Sequence, residues 1–126
     1  PLLGAWSEGW GHEAVAKLFD GKGRAETPDA VFCGNDQIAR GVIDALRERG
    51  IRVPEEVGVV GFDNWEIVAE ATRPPLTSVD MNLATLGREA GLALLSLVGG
   101  QAAAPGIRKL PCRLVVRQSC GRTVGG

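Results

Sequence analysis

Two apolar runs in this chain stop at polar pairs. "VFCG" (31–34) ends at Asn35-Asp36, and "VGVVGF" (57–62) ends at Asp63-Asn64. An asparagine amide donates and accepts, and an aspartate carboxylate accepts hydrogen bonds on two oxygens. Together they suit the hydroxyls of a small molecule, at about 1.5–3 kcal/mol for each bond that involves the charge. No basic residue stands close to Asp63 in sequence. A carboxylate without a cation favours a neutral polyol over an anionic ligand. The plainer reading is that these residues cap helices and turns. Both readings stand for Asn35 and Asp63, whereas Asp36 is expected to be a cap.

Aromatic side chains extend the set. Trp6 lies just before Ser7, the expected cap of a helix. It could stack on the C–H face of a sugar ring, or staple the helix below it. Trp10 is expected in the core. Trp65, two residues after Asp63, could cover a pocket or meet another subunit.

The residues argue against catalysis. His12 is the only histidine, and Cys33, Cys112 and Cys120 match no zinc spacing. Cys33 could be an activated nucleophile at a strand end, but it precedes the loop and should point into the sheet. "GAWSEGWG" lacks the Lys-Ser/Thr ending of a phosphate loop. "GVVGF" has only two glycines inside a strand, so it is no dinucleotide fingerprint. No metal, cofactor or catalytic residue is expected.

These residues need elements to hold them. Trp10, Ala14, Val15, Leu18 and Phe19 share one helical face, stopped by Gly21. Residues 30–33 form a short apolar strand of the kind covered on both faces. Ile38, Val42, Ala45 and Leu46 mark a second helix, ended by Gly50. Residues 57–62 form a second strand. Short connections between alternating helices and strands imply a parallel sheet with right-handed crossovers. Both strands then end at one edge, and Asn35 and Asp63 face one crevice, where open α/β sheets bind ligands. "LTSVDM" (76–81) reads as a further strand. Leu83, Leu86, Ala90, Leu94 and Leu97 form a helical stripe closed by Gly99-Gly100. Residues 101–106 read as a linker, 107–118 as an edge strand around Pro111, and 121–126 as a loose tail.

The bulk properties fit one small domain. The chain has 126 residues, 44% hydrophobic and 23% charged, with a net charge of −1. That balance excludes a chain that binds polyanions over its whole surface. The last acid is Glu89, and Arg108, Lys109, Arg113, Arg117 and Arg122 follow it. Arginines that keep an edge strand soluble are the simpler explanation of this basic end. The unpaired cysteines suit a reducing compartment. No stretch is long enough to span a membrane, and no signal segment opens the chain.

Three linked motifs carry a family resemblance. "PDAVFCGNDQIARGVIDALRERGIRVPEEVGVVGFDN" followed by "RPPLTSVDMNLATLGREA" resembles the C-terminal part of the sensor domain of LacI/GalR-type (lactose-repressor family) transcriptional regulators. The resemblance covers about Trp6 to Gln118. It implies an α/β fold, doubly wound around a parallel sheet and type I periplasmic-binding-protein-like, present here as a fragment. Residues 1–80 and 107–118 would form the C-terminal subdomain, and the 82–100 helix would belong to the N-terminal one. The DNA-binding domain would be absent from this chain. The function implied is effector sensing in a cytoplasmic repressor. The effector would be a sugar or sugar-like molecule. Operator DNA would be read through a helix-turn-helix not present here. A periplasmic-type solute-binding protein is the alternative.

By position, Asn35 and Asp63 match the family's ligand contacts, and Trp6 matches its ligand-packing aromatic. Met81 stands where many sugar-binding relatives carry Gln, which makes that side of the cleft less polar. Met81 and Trp65 are further candidates for ligand contact. The helix after Asn35 resembles the family's homodimer contact, with Arg40 near it. A separate expectation is that the 83–97 stripe packs on a second copy or on further chain.

Overall fold

The computed structural model describes residues 1–102 and 106–121. In chain order these form α1 (Glu8–Phe19), a 3-10 turn (Arg24–Glu26), β1 (Ala30–Phe32), α2 (Asp36–Glu48), β2 (Gly58–Phe62), α3 (Glu66–Ala71), β3 (Thr77–Asp80), α4 (Leu83–Val98) and β4 (Arg113–Val115). The described residues include part of the expected 101–106 linker and only Gly121 of the expected tail. Arg122 therefore lies outside them.

Local chemistry sets the helix ends. Ser7 Oγ accepts from Trp10 N at 3.2 Å and starts α1. Gly21 leaves the helix with φ 71°, a conformation that costs glycine nothing. Asn35 Oδ1 accepts from Ile38 N at 2.8 Å and starts α2. Gly50, at φ 72°, turns the chain after it.

The sheet runs β1-β2-β3-β4. β1, β2 and β3 are parallel, and β4 lies antiparallel on the outer edge of β3. The core lies between this sheet and the helices. Val15 and Phe19 of α1, Ala39, Val42, Ile43 and Leu46 of α2, and Val59 of β2 meet there with Cys33, Val57 and Leu76. Burying each large apolar side chain contributes about 1.5–3 kcal/mol, so this cluster fixes α1 and α2 over the strands. It thereby fixes the loops that follow β1 and β2.

Several expectations need correction. β1 is not covered on both faces: Ala30 and Phe32 are exposed, with Phe32 at 65%. Its ring meets Phe62 edge-on at 6.4 Å instead. In β2 only alternate residues, Val59 and Gly61, are buried. The sheet is thus buried mainly on its helix side among the described residues. Trp10 is not core either. It is half-buried, with Lys17 Nζ 4.5 Å from its ring centroid. The last strand covers only Arg113–Val115 of the expected 107–118. The 65–72 segment, not assigned by pattern, contains α3.

α4 has no buried residue. Leu83, Leu86, Leu94 and Leu97 of its stripe are all exposed. No helix among the described residues is long and apolar enough to cross a membrane.

Candidate functional site

The parallel register puts the loops that carry the two polar pairs at one edge of the sheet. Phe32 pairs with Val60, and Cys33 N donates to Val60 O at 2.8 Å. β1 ends at Phe32 and β2 at Phe62, so the loops that carry Asn35 and Asp63 leave the sheet at the same, carboxyl edge. Phe62 pairs with Val79, so Asp80 comes next to Asp63 on the far side. The crossing strand β3 then hands over to Met81.

Asn35 is the N-cap of α2. Its side-chain oxygen caps α2, which leaves its amide nitrogen free of that bond. Asp63 is exposed and carries φ 102°, and Asn64 follows at φ 50°. Asp63 N donates to Val79 O at 3.0 Å. Desolvation raises the Asp63 carboxyl above its ordinary range.

Trp6 is 69% exposed and not a buried staple. Its ring lies over Gly34, where a Cβ would stand 3.0 Å from it. A side chain at 34 would press on the indole, so Gly34 is what lets the ring sit this close to the loop. Sequence reading passed over it because a single glycine in a loop carries no signal of what packs on it.

The candidates line two hollows. Trp6, Gly34 and Cys33 border one of about 640 Å³, which also takes in the edge of β1. Asp63, Trp65 and Met81 border another of about 650 Å³, beside Leu83. Asn35 borders neither hollow, and Asp63 borders only the second. The single crevice expected from the strand ends is therefore an open edge with two recesses. Trp65 is 52% exposed. Arg40 pairs with Glu8 at 3.7 Å within the chain.

Asp36 departs most from expectation. It is not the cap of α2, which is Asn35. Its side chain turns inward and is 1% exposed. Ser78 Oγ donates to Asp36 Oδ1 at 2.5 Å, and Trp65 N donates to Oδ2 at 2.7 Å. Desolvation raises its carboxyl, against the lowering effect of those two bonds. Gly61 makes this reach possible, because a Cβ there would run into Asp36 Oδ1. Arg117, of the basic end, donates to Asn64 Oδ1 at 2.9 Å and to Leu76 O at 2.8 Å.

The chemistry available is hydrogen bonding and stacking. Burial pushes the Cys33 thiol up to about 12, which leaves almost no thiolate at neutral pH. No group of three or more His, Cys, Asp or Glu side chains that could hold a metal ion occurs among the described residues.

A mostly parallel sheet with polar side chains on the loops at its carboxyl edge is the arrangement in which open α/β domains bind ligands. Residues 4–120 match the periplasmic binding protein-like domain family. The chain belongs to that family, and its relatives there are LacI-type transcriptional regulators. It is 36% identical over 110 residues to the NTD biosynthesis operon regulator NtdR of Bacillus subtilis, covering 86% of this chain and 32% of that one. It is 36% identical over 109 residues to the transcriptional repressor CytR of Escherichia coli, covering 86% and 31%. Among solved structures, the transcriptional regulator CelR in complex with cellobiose superposes with a TM-score of 0.78 at 37% identity, over 92% of this chain and 34% of that one. The Lac repressor dimer bound to operator and the anti-inducer ONPF superposes at 0.80 and 33%, over 93% and 39%. The chain spans about a third of the length of the curated relatives it matches.

Proposed function

We propose that this chain is part of the effector-sensing module of a cytoplasmic transcriptional repressor, and that it binds a small neutral polyol, a sugar or sugar-like molecule, without breaking any bond. The parallel pairing of β1 and β2, whose following loops carry Asn35 and Asp63 at one edge of the sheet, is the observation that supports this reading. Asn35 would read a hydroxyl through its amide. Asp63 would accept from one or two more, and Trp6 over Gly34 would take an apolar ring face. Trp65 and Met81 would close the second recess, with Met81 supplying apolar contact only. The complex of CelR with cellobiose supports a sugar as ligand class.

Residues 1–80 and 107–118 would act as one subdomain, with α4 belonging to another. The exposed stripe of α4 supports that division. The working unit would be a homodimer with Arg40 near its contact, binding operator DNA through a separate helix-turn-helix. Effector binding would favour one closure of the subdomains and so shift operator affinity.

The test is a thermal-shift and calorimetric screen of mono- and disaccharides, cellobiose included. The chain is expressed with whatever coding sequence flanks it. A sugar that raises the melting temperature is expected, with the shift lost in Asp63→Ala and in Trp6→Ala. A sugar response unchanged in both variants would remove the site from this edge.

A further inference from the structure

Asp63 and Asn64 are consecutive non-glycine residues at positive φ, 102° and 50°. Such a conformation is strained for a residue with a side chain and persists only where its surroundings hold it. Three bonds do so here. Asn64 N donates to Ser78 Oγ at 3.0 Å. The same hydroxyl donates onward to Asp36 Oδ1, and Trp65 N donates to Asp36 Oδ2. The relay thus grips the two backbone N–H groups that directly follow Asp63. Its anchor is buried: Ser78 is 0% exposed and Asp36 is 1% exposed. Gly61 opens the passage under β2 that lets the carboxylate cross from α2 to β3.

A buried carboxylate is a costly way to join a helix to a sheet. An apolar side chain would fill the same space without that cost, but would leave the Trp65 N–H and the Ser78 hydroxyl proton without an acceptor. What the carboxylate adds is direction, since charge-assisted bonds are short and oriented.

We propose that Asp36 and Ser78 are positioning residues, a buried clamp that fixes the left-handed turn at 63–64 and so aims the Asp63 carboxylate at the ligand. The aim at a ligand rests on the function proposed above, whereas the clamp itself is readable without ligand.

Amide hydrogen exchange, followed by NMR on the full 126-residue chain, reads it directly. In Asp36→Ala, which removes both acceptor oxygens, the Trp65 amide should exchange at least tenfold faster. In Ser78→Ala the Asn64 amide should do so. The core amides of Val59 and Leu76 should change far less in both variants. A role in general stability alone would speed all four amides by a common factor, and that result overturns the proposal.

Should either variant fail to fold, the parent chain still decides. Its Trp65 amide proton shift should follow the protonation of the Asp36 carboxyl on acidification, and an indifferent shift overturns the clamp. Failure of the site reading shows separately. Cellobiose that does not bind, or that binds equally to parent and Asp63→Ala, counts against the ligand assignment and leaves exchange to judge the clamp.

Discussion

Gly11 and Gly41 meet where α1 crosses α2, so closely that a Cβ on Gly11 would stand 2.9 Å from the Gly41 carbonyl carbon and 2.7 Å from Val42 N. A Cβ on Gly41 would run into the Glu8 backbone. The crossing holds Trp6, which enters α1, near Asn35, which caps α2. Gly41→Ala should therefore destabilise the chain by about 1–3 kcal/mol through overpacking, despite alanine's better helix propensity. Gly87→Ala on α4 meets nothing within 4 Å and should be neutral or stabilising by up to about 1 kcal/mol. Urea midpoints for the two variants check the pair. Equal shifts would mean that the α1–α2 crossing is not tight.

Asn35 carries both a structural and a proposed binding role, which substitution can separate. Asn35→Ala loses the bond to Ile38 N and should cost about 1 kcal/mol of stability. Asn35→Ser keeps a capping oxygen, so its urea midpoint should stay near that of the parent. Both lose the amide, and both should weaken sugar binding. A serine variant that binds as well as the parent would reduce Asn35 to a cap.

How far this site could be read in advance divides along one line. Ser7, Gly21, Asn35 and Gly50 act on their immediate neighbours, so their types and spacing reveal both helices. The apolar runs reveal the parallel strands, and strand order then sends the loops that carry Asn35 and Asp63 to one edge of the sheet. Asp36 was misread because a polar pair at a helix start looks like a cap and a spare. Which of the two turns inward depends on Ser78, 42 residues on, and on the absence of a side chain at Gly61. β1 was misread because composition registers that a strand is apolar and not whether anything covers it. Trp10 was misread for the same reason, since a large ring on the apolar face of a helix can lie along its rim, here under Lys17.

Asp80 gives a pH-dependent signature next to the site. The Asn82 N–H, which donates to it at 2.8 Å, and the Arg113 guanidinium hold its carboxyl below the ordinary value of 3.8. A carboxyl lowered in the folded state stabilises the fold at pH values above its unfolded value, and that contribution fades as pH falls through the folded value. The parent should therefore lose stability relative to Asp80→Asn once the pH drops below about 4. Denaturation midpoints of the two chains, compared from pH 6 to pH 2.5, check this. A constant gap over that range would mean that the Arg113 and Asn82 contacts do not favour the charged form.

Asp63 offers the sharpest test, because its replacement should move stability and affinity in opposite directions. At φ 102° an aspartate is strained where a glycine is not, and relieving such a residue returns about 1 kcal/mol, part of it offset by glycine's greater freedom in the unfolded chain. Removing the carboxylate also removes a partly desolvated charge, whose raised pKa reflects a cost of ionisation in the folded state. Both effects should make Asp63→Gly as stable as the parent, or more so. The same variant should bind sugar at least tenfold more weakly, since it lacks the acceptor that the strand edge presents. Stability held while affinity falls is the behaviour of a residue kept for its ligand at the expense of the fold. Urea denaturation and sugar titration of one variant read both halves. A large loss of stability with unchanged affinity would mean that Asp63 serves the turn and not the ligand.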